Sequence, residues 1–313
     1  MDDKRNFRST YYEKVGCRGV EERKSLEILL KDKPLNVLKL KQFCILFTVP
    51  NIHRNVLWNF LLGVTPAYTD SRQYVMQQRI AVYDDLLRAL QVMGTIDDKT
   101  PKNRVLYAMW LLETKQLCLG FDLQQECSFV NITEVLLQVF ENDIEIYWMA
   151  KGFHVLSEEI REEMGMLLDL TETILEKEDN GIYIHLKQCD ILPGLPLAKW
   201  YSSFFSGVLS ELALIRIWDK ICGRSNKIVI FVFIEIMRTL RRRVLRCMDL
   251  KSLLECIDSV SGSTLIVLVT KAQECLPQIK DEQETADMIV NKAIELWQQN
   301  KGHKEYNIPK QLN

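Results

Sequence analysis

The segment from Ile184 to Ile221 reads IHLKQCDILPGLPLAKWYSSFFSGVLSELALIRIWDKI, and the apolar run IVIFVFI follows it at residues 228–234. Trp218 in the first segment is a large apolar side chain with a single hydrogen-bond donor, so we expect it to be a core anchor. The β-branched and aromatic residues of the run favour a strand by local propensity. A helix that is apolar on all sides is typical of a buried central position, so both structures stay open at this point.

The composition of the 313 residues favours helices over a many-stranded sandwich or barrel. Glycine and proline contribute 13 and 8 residues, about 7% of the chain against about 12% in average proteins, so few turns are available. Apolar residues make up 47% of the sequence, which is enough to bury a sizeable core. The net charge of −2 argues against a dedicated nucleic-acid binder, because phosphate contacts need a clear basic excess.

Cysteine usage and the start of the chain indicate the compartment. The nine cysteines are odd in number and no two have the two-residue gap of zinc or redox motifs, so we expect reduced thiols in a cytoplasmic protein. Residues 2–5 are charged and do not resemble a signal peptide, and the longest apolar run is too short to span a membrane. Neither a glycine-rich phosphate loop nor a metal-ligand cluster is present, so no cofactor and no metal are expected.

Residues 74–90 carry apolar side chains on two adjacent helical stripes, which is more than one core-facing surface requires. The first stripe, a candidate contact face for a partner helix, consists of Met76, Ile80, Tyr83 and Leu87. The neighbouring stripe consists of Val75, Val82, Leu86 and Leu90. The alternative is that both stripes face the core.

Three further patterns give local predictions. Asn131, with Glu134 three residues later, predicts the N-terminal cap of a helix over 132–140. The Asp-Asn-Gly sequence at 179–181 predicts a turn and a possible lobe boundary. A helix over 227–245 ends in an arginine cluster whose members at 238, 242 and 246 would share one face. That cluster is either a solvated helix end or a patch that binds an anionic membrane or an acidic partner.

An earlier segment, VPNIHRNVLWNFLLG at residues 49–63, contains Arg54 and Trp58 in an RxxxW spacing. We expect Trp58 to be a second core anchor. An arginine near the start of a helix can pair with a carboxylate such as Asp219 and lock one helix against the next. This structural role is predicted for both Arg54 and Arg216.

These two segments, in this order, resemble the opening motif and the C-terminal signature of the TBC (Tre-2/Bub2/Cdc16) domain, the all-helical fold of Rab GTPase-activating proteins. The residues that match the C-terminal signature are His185, Leu186, Trp200, Phe204, Phe205, Leu209, Leu212, Arg216, Trp218 and Asp219. The resemblance implies a two-lobed all-α fold, in which residues 228–234 form a helix. It implies a helical N-terminal extension at 1–46, a TBC domain at 47–245 with lobes dividing near 178–182, and C-terminal helices with a frayed tail at 246–313.

The activity of the family depends on two side chains that enter the site of the GTPase. An arginine from an IxxDxxR motif neutralises charge on the phosphoryl group, and a glutamine from a YxQ motif orients the water. The first motif falls on TIDDKTP at residues 95–101, where Pro101 occupies the arginine position. The second falls on Gln125-Glu126-Cys127, where Cys127 occupies the glutamine position. Both catalytic positions are therefore predicted to be vacated.

A TBC domain that keeps its fold signature and lacks both catalytic side chains resembles one branch of the family. That branch implies a non-catalytic subunit of the tuberous sclerosis complex, bound to the coiled coil of hamartin and, through it, to tuberin. The complex promotes GTP hydrolysis on Rheb, restrains target-of-rapamycin signalling and would bring this chain to lysosomal or vesicle membranes. The alternative is an active Rab GTPase-activating protein that uses the displaced residues Arg104 and Gln124 or Gln125.

Overall fold

The computed structural model describes residues 20–118 and 120–261 together with residue 294, and every regular element in this part of the chain is helical. The predicted all-α fold is therefore confirmed. The helices are α1 Val20–Leu29, α2 Val37–Leu46, α3 Asn51–Leu61, α4 Arg72–Val92, α5 Lys102–Glu113, α6 Ser128–Val139, α7 Asp143–Glu162, α8 Met164–Glu178, α9 Asn180–Gln188, α10 Leu197–Ser202, α11 Glu211–Cys222, α12 Ile228–Thr239, α13 Arg241–Val244 and α14 Leu250–Ser261.

Single turns of 3₁₀ helix lie at Thr69–Ser71 and Leu192–Gly194. The helix expected over 286–297 lies outside the described residues, apart from residue 294, and so does the frayed tail expected after it. Among the described helices, none combines the length and the apolar character that crossing a lipid bilayer requires.

Two compact units make up the described part of the chain. The first contains the residues up to Glu162 together with 198–207 and 214–225. The second contains 163–197, 208–213 and the residues from Asn226 onward. The turn predicted at 179–181 is shorter than expected, because only Asp179 separates α8 from α9, which begins at Asn180 in the second unit. The Asp179 carboxylate accepts a hydrogen bond from the Ile182 N–H at 3.1 Å and caps α9. The domain bounds at residues 46 and 245 stay a prediction.

The apolar run at 228–234 is helical, and it forms most of α12 in the second unit. All residues from Ile228 to Met237 are buried, which is the environment that a helix apolar on all sides requires. The single helix expected over 227–245 is wrong in one respect, because Leu240 interrupts it with φ −89° and ψ 9°. Since α13 is a separate short helix, the arginines at 238, 242 and 246 do not follow one continuous helix face.

The first unit contains the N-terminal core on which α1, α2 and α3 pack. Its buried residues are Leu26, Leu35, Leu40, Phe43, Cys44, Val49, Leu57 and Phe60. The cap predicted at Asn131 is wrong, because α6 begins at Ser128 and places Asn131 within the helix. Ser128, Phe129 and Val130 are buried, so the helix starts one turn earlier to bring this additional apolar surface into the core.

Candidate functional site

The RxxxW motif and the RIWD segment meet in the first unit around one buried carboxylate. Arg54 donates from Nε to Asp219 Oδ1 at 3.0 Å and from Nη2 to Asp219 Oδ2 at 2.9 Å. Trp58 donates from Nε1 to the same Asp219 Oδ1 at 2.8 Å. Arg54 and Asp219 are only 4% and 1% exposed. The guanidinium and the carboxylate therefore neutralise each other's charge and satisfy each other's hydrogen-bonding groups in the interior. The Arg54–Asp219 ion pair expected from the sequence is therefore present.

Aromatic side chains surround this buried carboxylate and fix its position. Phe153 packs against both tryptophans, with its ring centroid 4.7 Å from that of Trp218 and 5.4 Å from that of Trp58. The indole N–H of Trp218 donates to the carbonyl of Phe204 at 3.1 Å. Phe204 and Phe205 have φ values of 52° and 62°, a left-handed conformation that is costly for side chains of this size. Trp58 and Trp218 are thus structural residues, fully buried as core anchors.

The position expected for the catalytic arginine lies at the start of α5. Pro101 is the exposed residue immediately before this helix, and it offers neither a charge nor an N–H donor. The preceding turn is fixed by Asp97, whose carboxylate accepts hydrogen bonds from Thr100 Oγ1 at 2.6 Å and from the Lys99 N–H at 3.1 Å. The hydrogen bond from Thr100 lowers the pKa of Asp97. The Asp97 carboxylate is therefore hydrogen-bonded to other residues of the same turn.

Arg104, the displaced candidate, is held by the loop between α5 and α6. Its Nη1 donates to the carbonyls of Leu123 at 3.0 Å and Gln125 at 2.8 Å. Its Nη2 donates to Glu126 Oε1 at 2.5 Å, and only 8% of the residue is exposed. We call this set of contacts the Arg104 clamp. The guanidinium is committed to the backbone of its own chain.

The position expected for the catalytic glutamine lies at the far end of the same loop. Cys127 is half-buried and directly precedes α6. Its side chain lies beside Tyr107, and burial, followed by the electrostatic and hydrogen-bonding interaction with Cys127, raises the pKa of Tyr107 to about 12. Gln124 and Gln125 are exposed, and they lie on the loop whose backbone carbonyls accept hydrogen bonds in the Arg104 clamp. The two displaced candidates therefore differ in character, since the glutamines face solvent and the arginine does not.

The candidate contact face on α4 is only partly surface. Tyr83 is buried, and its ring meets the edge of the Tyr147 ring with centroids 6.0 Å apart. Burial raises the pKa of Tyr83 to about 12. Ile80 is 39% exposed, whereas Met76 and Leu87 are half-buried. Tyr83 was thus wrongly included in the face, because the helix turns it toward the core.

The second stripe of α4 flanks the same core-facing side. Leu90 is fully buried, while Val82 is 39% exposed. At 100° per residue, Ile80 and Val82 lie on opposite flanks of one broad apolar face centred between Tyr83 and Leu90. Both stripes therefore contribute to the core, as the alternative reading of the sequence proposed, and they leave Ile80 and Val82 at its two edges.

Two of the five arginines of the cluster in the second unit pair with acidic side chains, and a third contacts a hydroxyl. Arg238 donates to Glu235 at 2.7 Å, and Arg241 donates to Asp179 at 2.8 Å. Arg243 donates to the hydroxyl of Ser259 at 2.6 Å. These contacts favour the helix-end interpretation of the cluster over an anion-binding patch.

Sequence reasoning missed the Arg104 clamp and a stack of cations on Trp148. The guanidinium of Arg79 lies 4.2 Å from one ring centroid of Trp148, and Lys151 Nζ lies 4.1 Å from it. Lys151 also donates to Glu113 Oε1 at 2.6 Å. Lys151 is the i+3 neighbour of Trp148, a detectable spacing. No local pattern connects Arg79 with Trp148 or Arg104 with Glu126.

Comparisons with known proteins agree with this architecture. A family model described as the RabGAP TBC domain matches residues 151–309. TBC1 domain family member 7 of Bos taurus is 37% identical over 96% of this chain and 97% of its own length. The Homo sapiens protein of the same name is 36% identical with the same coverage.

Two solved structures share the fold. The Ypt/Rab-GAP domain of Gyp1p has a TM-score of 0.61 at 14% identity and covers 90% of this chain and 99% of its own. The Chlamydomonas flagellar RabGAP TBC domain has a TM-score of 0.56 at 14% identity, with coverage of 88% and 95%. The relatives match over nearly the whole chain, the family model covers half of it, and the helices superpose on known TBC domains. On these grounds the chain belongs to the RabGAP TBC domain family.

Proposed function

We propose that this chain is a non-catalytic TBC-domain protein that acts as a stabilising subunit of the tuberous sclerosis complex. In that role it binds the coiled coil of hamartin and, through hamartin, tuberin, whose activity promotes GTP hydrolysis on Rheb and restrains target-of-rapamycin signalling. The single observation that supports a non-catalytic role is the Arg104 clamp. Arg104 is the arginine nearest in sequence to Pro101, and its guanidinium is already hydrogen-bonded within its own chain.

Stimulation of GTP hydrolysis needs a cation and a water-orienting group that reach out of the protein. Such an arginine contributes about 10³–10⁵ in rate in related GTPase systems. Pro101 supplies no cation, and the thiol of Cys127 is a weak donor and a weak acceptor. Neither side chain can perform the step that its position would require.

The displaced alternative would require Arg104 to leave its clamp. Its departure would break the hydrogen bonds to the carbonyls of Leu123 and Gln125 and would expose the loop to rearrangement. Hydrogen bonds to charged groups contribute about 1.5–3 kcal/mol each, so this movement is costly.

The proposed contact with the coiled coil uses the edge of α4. Met76, Ile80 and Leu87 lie on one flank of the helix, and Ile80 is the most exposed of them. A partner helix can bury such a flank through apolar residues at helical spacing. The similarity to TBC1 domain family member 7 in two mammals supports the choice of the subunit role. Cytoplasmic location, with recruitment to lysosomal or vesicle membranes through the complex, belongs to the same proposal.

The function is tested by a panel of Rab and Rheb GTPases, assayed with the chain alone and with hamartin and tuberin added. We expect the chain alone to leave the hydrolysis rates of all GTPases within about twofold of their intrinsic values. With tuberin and hamartin present, adding the chain should raise the yield of intact complex and of its Rheb activity together. Acceleration of any Rab by about 10³ or more by the chain alone would refute the proposal.

The contact face is tested separately with Ile80→Asp and, as a control on the same helix, Val92→Asp. Val92 is 83% exposed and lies on the opposite side of α4, whereas Ile80 is 39% exposed, so the Tm of both variants is measured first to show that each is folded. Pull-down of a hamartin coiled-coil fragment should be lost with Ile80→Asp and retained with Val92→Asp. Equal retention by both folded variants would remove this flank of α4 from the interface.

A further inference from the structure

An open groove of about 390 Å³ lies in the first unit between α1 and α2, remote in sequence from the Arg104 clamp. From α1 it is lined by Ser25, Ile28 and Leu29, which are spaced as i, i+3 and i+4. From α2 it is lined by a stripe from Lys39 to Leu46 with i, i+3, i+4 and i+7 spacing. Two facing helical ridges with a valley between them form the surface on which a third helix packs.

The walls of this groove are apolar and exposed, whereas its floor is packed. Ile28, Leu46 and Phe47 are 64%, 51% and 38% exposed. Phe43, at the floor, is only 3% exposed and belongs to the N-terminal core. Neighbouring exposed apolar side chains of this kind mark interaction surfaces in soluble proteins.

The groove is also held in shape before any partner arrives. Lys220, itself 3% exposed, donates from Nζ to the carbonyls of Ile45 at 3.2 Å and Phe47 at 2.8 Å, at the C-terminal end of α2. Gly223 lies so close to α2 that an added Cβ would meet Ile45 Cγ1 at 2.9 Å. A preorganised surface loses little conformational entropy on binding.

Charge identifies the chemistry of the occupant. Lys39 is the one charged side chain among the residues that line the groove, and it is exposed. Helix α2 carries Lys39 and Lys41 and no carboxylate. A membrane-binding surface carries several basic residues beside its apolar face, whereas Lys39 is the one basic residue among those that line this groove. A small-molecule site would need several convergent polar groups, which these walls do not provide.

We propose that the groove between α1 and α2 is a docking site for an amphipathic helix of a partner protein that carries acidic residues beside its apolar face. The groove follows α2 from Lys39 to Phe47, a length of roughly 12 Å at the rise of an α-helix. Two turns of the partner helix fit that length, with apolar anchors at i, i+3 or i+4, and i+7. A carboxylate of the partner faces Lys39. The inference is independent of GTPase activity and of the contact proposed on α4.

The test uses the full chain and two fluorescein-labelled helical peptides, measured by fluorescence anisotropy. Both peptides carry Leu and Phe at i, i+3, i+4 and i+7, and they differ only in having Glu or Lys at the flanking positions. The acidic peptide should bind, and Ile28→Asp and Leu46→Asp should each raise its Kd at least about tenfold. Met248→Asp, at a 71% exposed apolar position of the second unit, is the matched control and should leave the Kd unchanged.

Lys39→Glu tests the role of charge, because it should raise the Kd of the acidic peptide and lower the Kd of the basic one. Equal binding of both peptides to the unaltered chain, or equal binding by all variants, would overturn the proposal.

Three other occupants give distinct results, each of which would also overturn it. A fall in the Tm of the free chain of more than about 3 °C in both Ile28→Asp and Leu46→Asp, but not in Met248→Asp, would mean that the chain covers its own groove. Self-association that Leu46→Asp abolishes would mean a second copy. Cosedimentation with phosphatidylserine vesicles that the same variants abolish, without peptide binding, would mean a membrane.

Discussion

Replacement of Arg104 separates a structural arginine from a catalytic one, because the two roles predict opposite results. In Arg104→Ala the carbonyls of Leu123 and Gln125 lose their donor, and Glu126 loses its partner. The bonds to the carbonyls are charge-assisted and lie at a residue that is 8% exposed, so each contributes about 1.5–3 kcal/mol. The Glu126 side chain is 58% exposed, and solvent limits that pair to about 0.2–1 kcal/mol.

Because contributions within one network do not add fully, we expect Arg104→Ala to lower the free energy of unfolding by about 3–5 kcal/mol. Equilibrium unfolding in urea measures this change, and hydrogen exchange should show loss of protection at residues 121–127. Arg104→Lys keeps the charge but not the planar fork of donors, so it should recover only part of the loss. Hydrolysis of GTP by Rab proteins should be the same with every variant.

Lys102→Ala is the control on the same helix. Its side chain is 68% exposed and pairs with Asp143, so removing it should cost no more than about 1 kcal/mol. A catalytic Arg104 would give the reverse pattern, with stimulated hydrolysis falling by about 10³ or more and stability nearly unchanged. That result would refute the argument from the Arg104 clamp.

Three further substitutions test the packing of the fold. Asp219→Asn leaves the buried Arg54 without a counter-charge and should lower the free energy of unfolding by about 3–5 kcal/mol in urea, while a loss below about 1 kcal/mol would contradict the pairing. Gly152→Ala places a Cβ 2.7 Å from the Cβ of Leu62, the residue that follows α3, and should lower the Tm, whereas Gly165→Ala, at a helical position with open space, should keep or raise it; equal shifts would contradict the close approach. Burial lowers the pKa of His154, so its contribution to stability is present above the unfolded pKa of about 6.5 and is lost as the pH falls through the folded pKa. The free energy of unfolding should therefore rise with pH as the pH approaches about 6.5 from below, and His154→Gln should flatten that slope; an unchanged slope would contradict the lowered pKa of His154.

The sequence predicted the helical fold and the positions of its main anchors. Trp58 and Trp218 were expected in the core because each side chain has a large apolar area that is costly to expose to water, and both are fully buried. The Arg54–Asp219 pair was predicted because a buried guanidinium requires a carboxylate and the motifs offered one. These features depend on residue chemistry, which the sequence states directly.

The predictions that failed concern the direction in which one helix faces and the points at which two others begin or end. The α4 stripe placed Tyr83 on a contact face, but hydrophobic spacing gives the width of an apolar side and not what covers it. The single helix over 227–245 was predicted from continuous helical spacing, and the break at Leu240 arises where arginine side chains turn to carboxylates of other segments.

The sequence by itself predicted an all-α TBC domain, and it predicted a proline and a cysteine at the positions aligned with the catalytic motifs. Only the tertiary structure decided what Arg104 does, because its partners come from a loop about 20 residues later whose backbone carbonyls have no signature in the sequence. Only the structure, likewise, paired α1 with α2 into an open groove. The sequence specifies the chemistry of each side chain, whereas the contacts of backbone groups and the exposure of helix faces are set only when the helices pack.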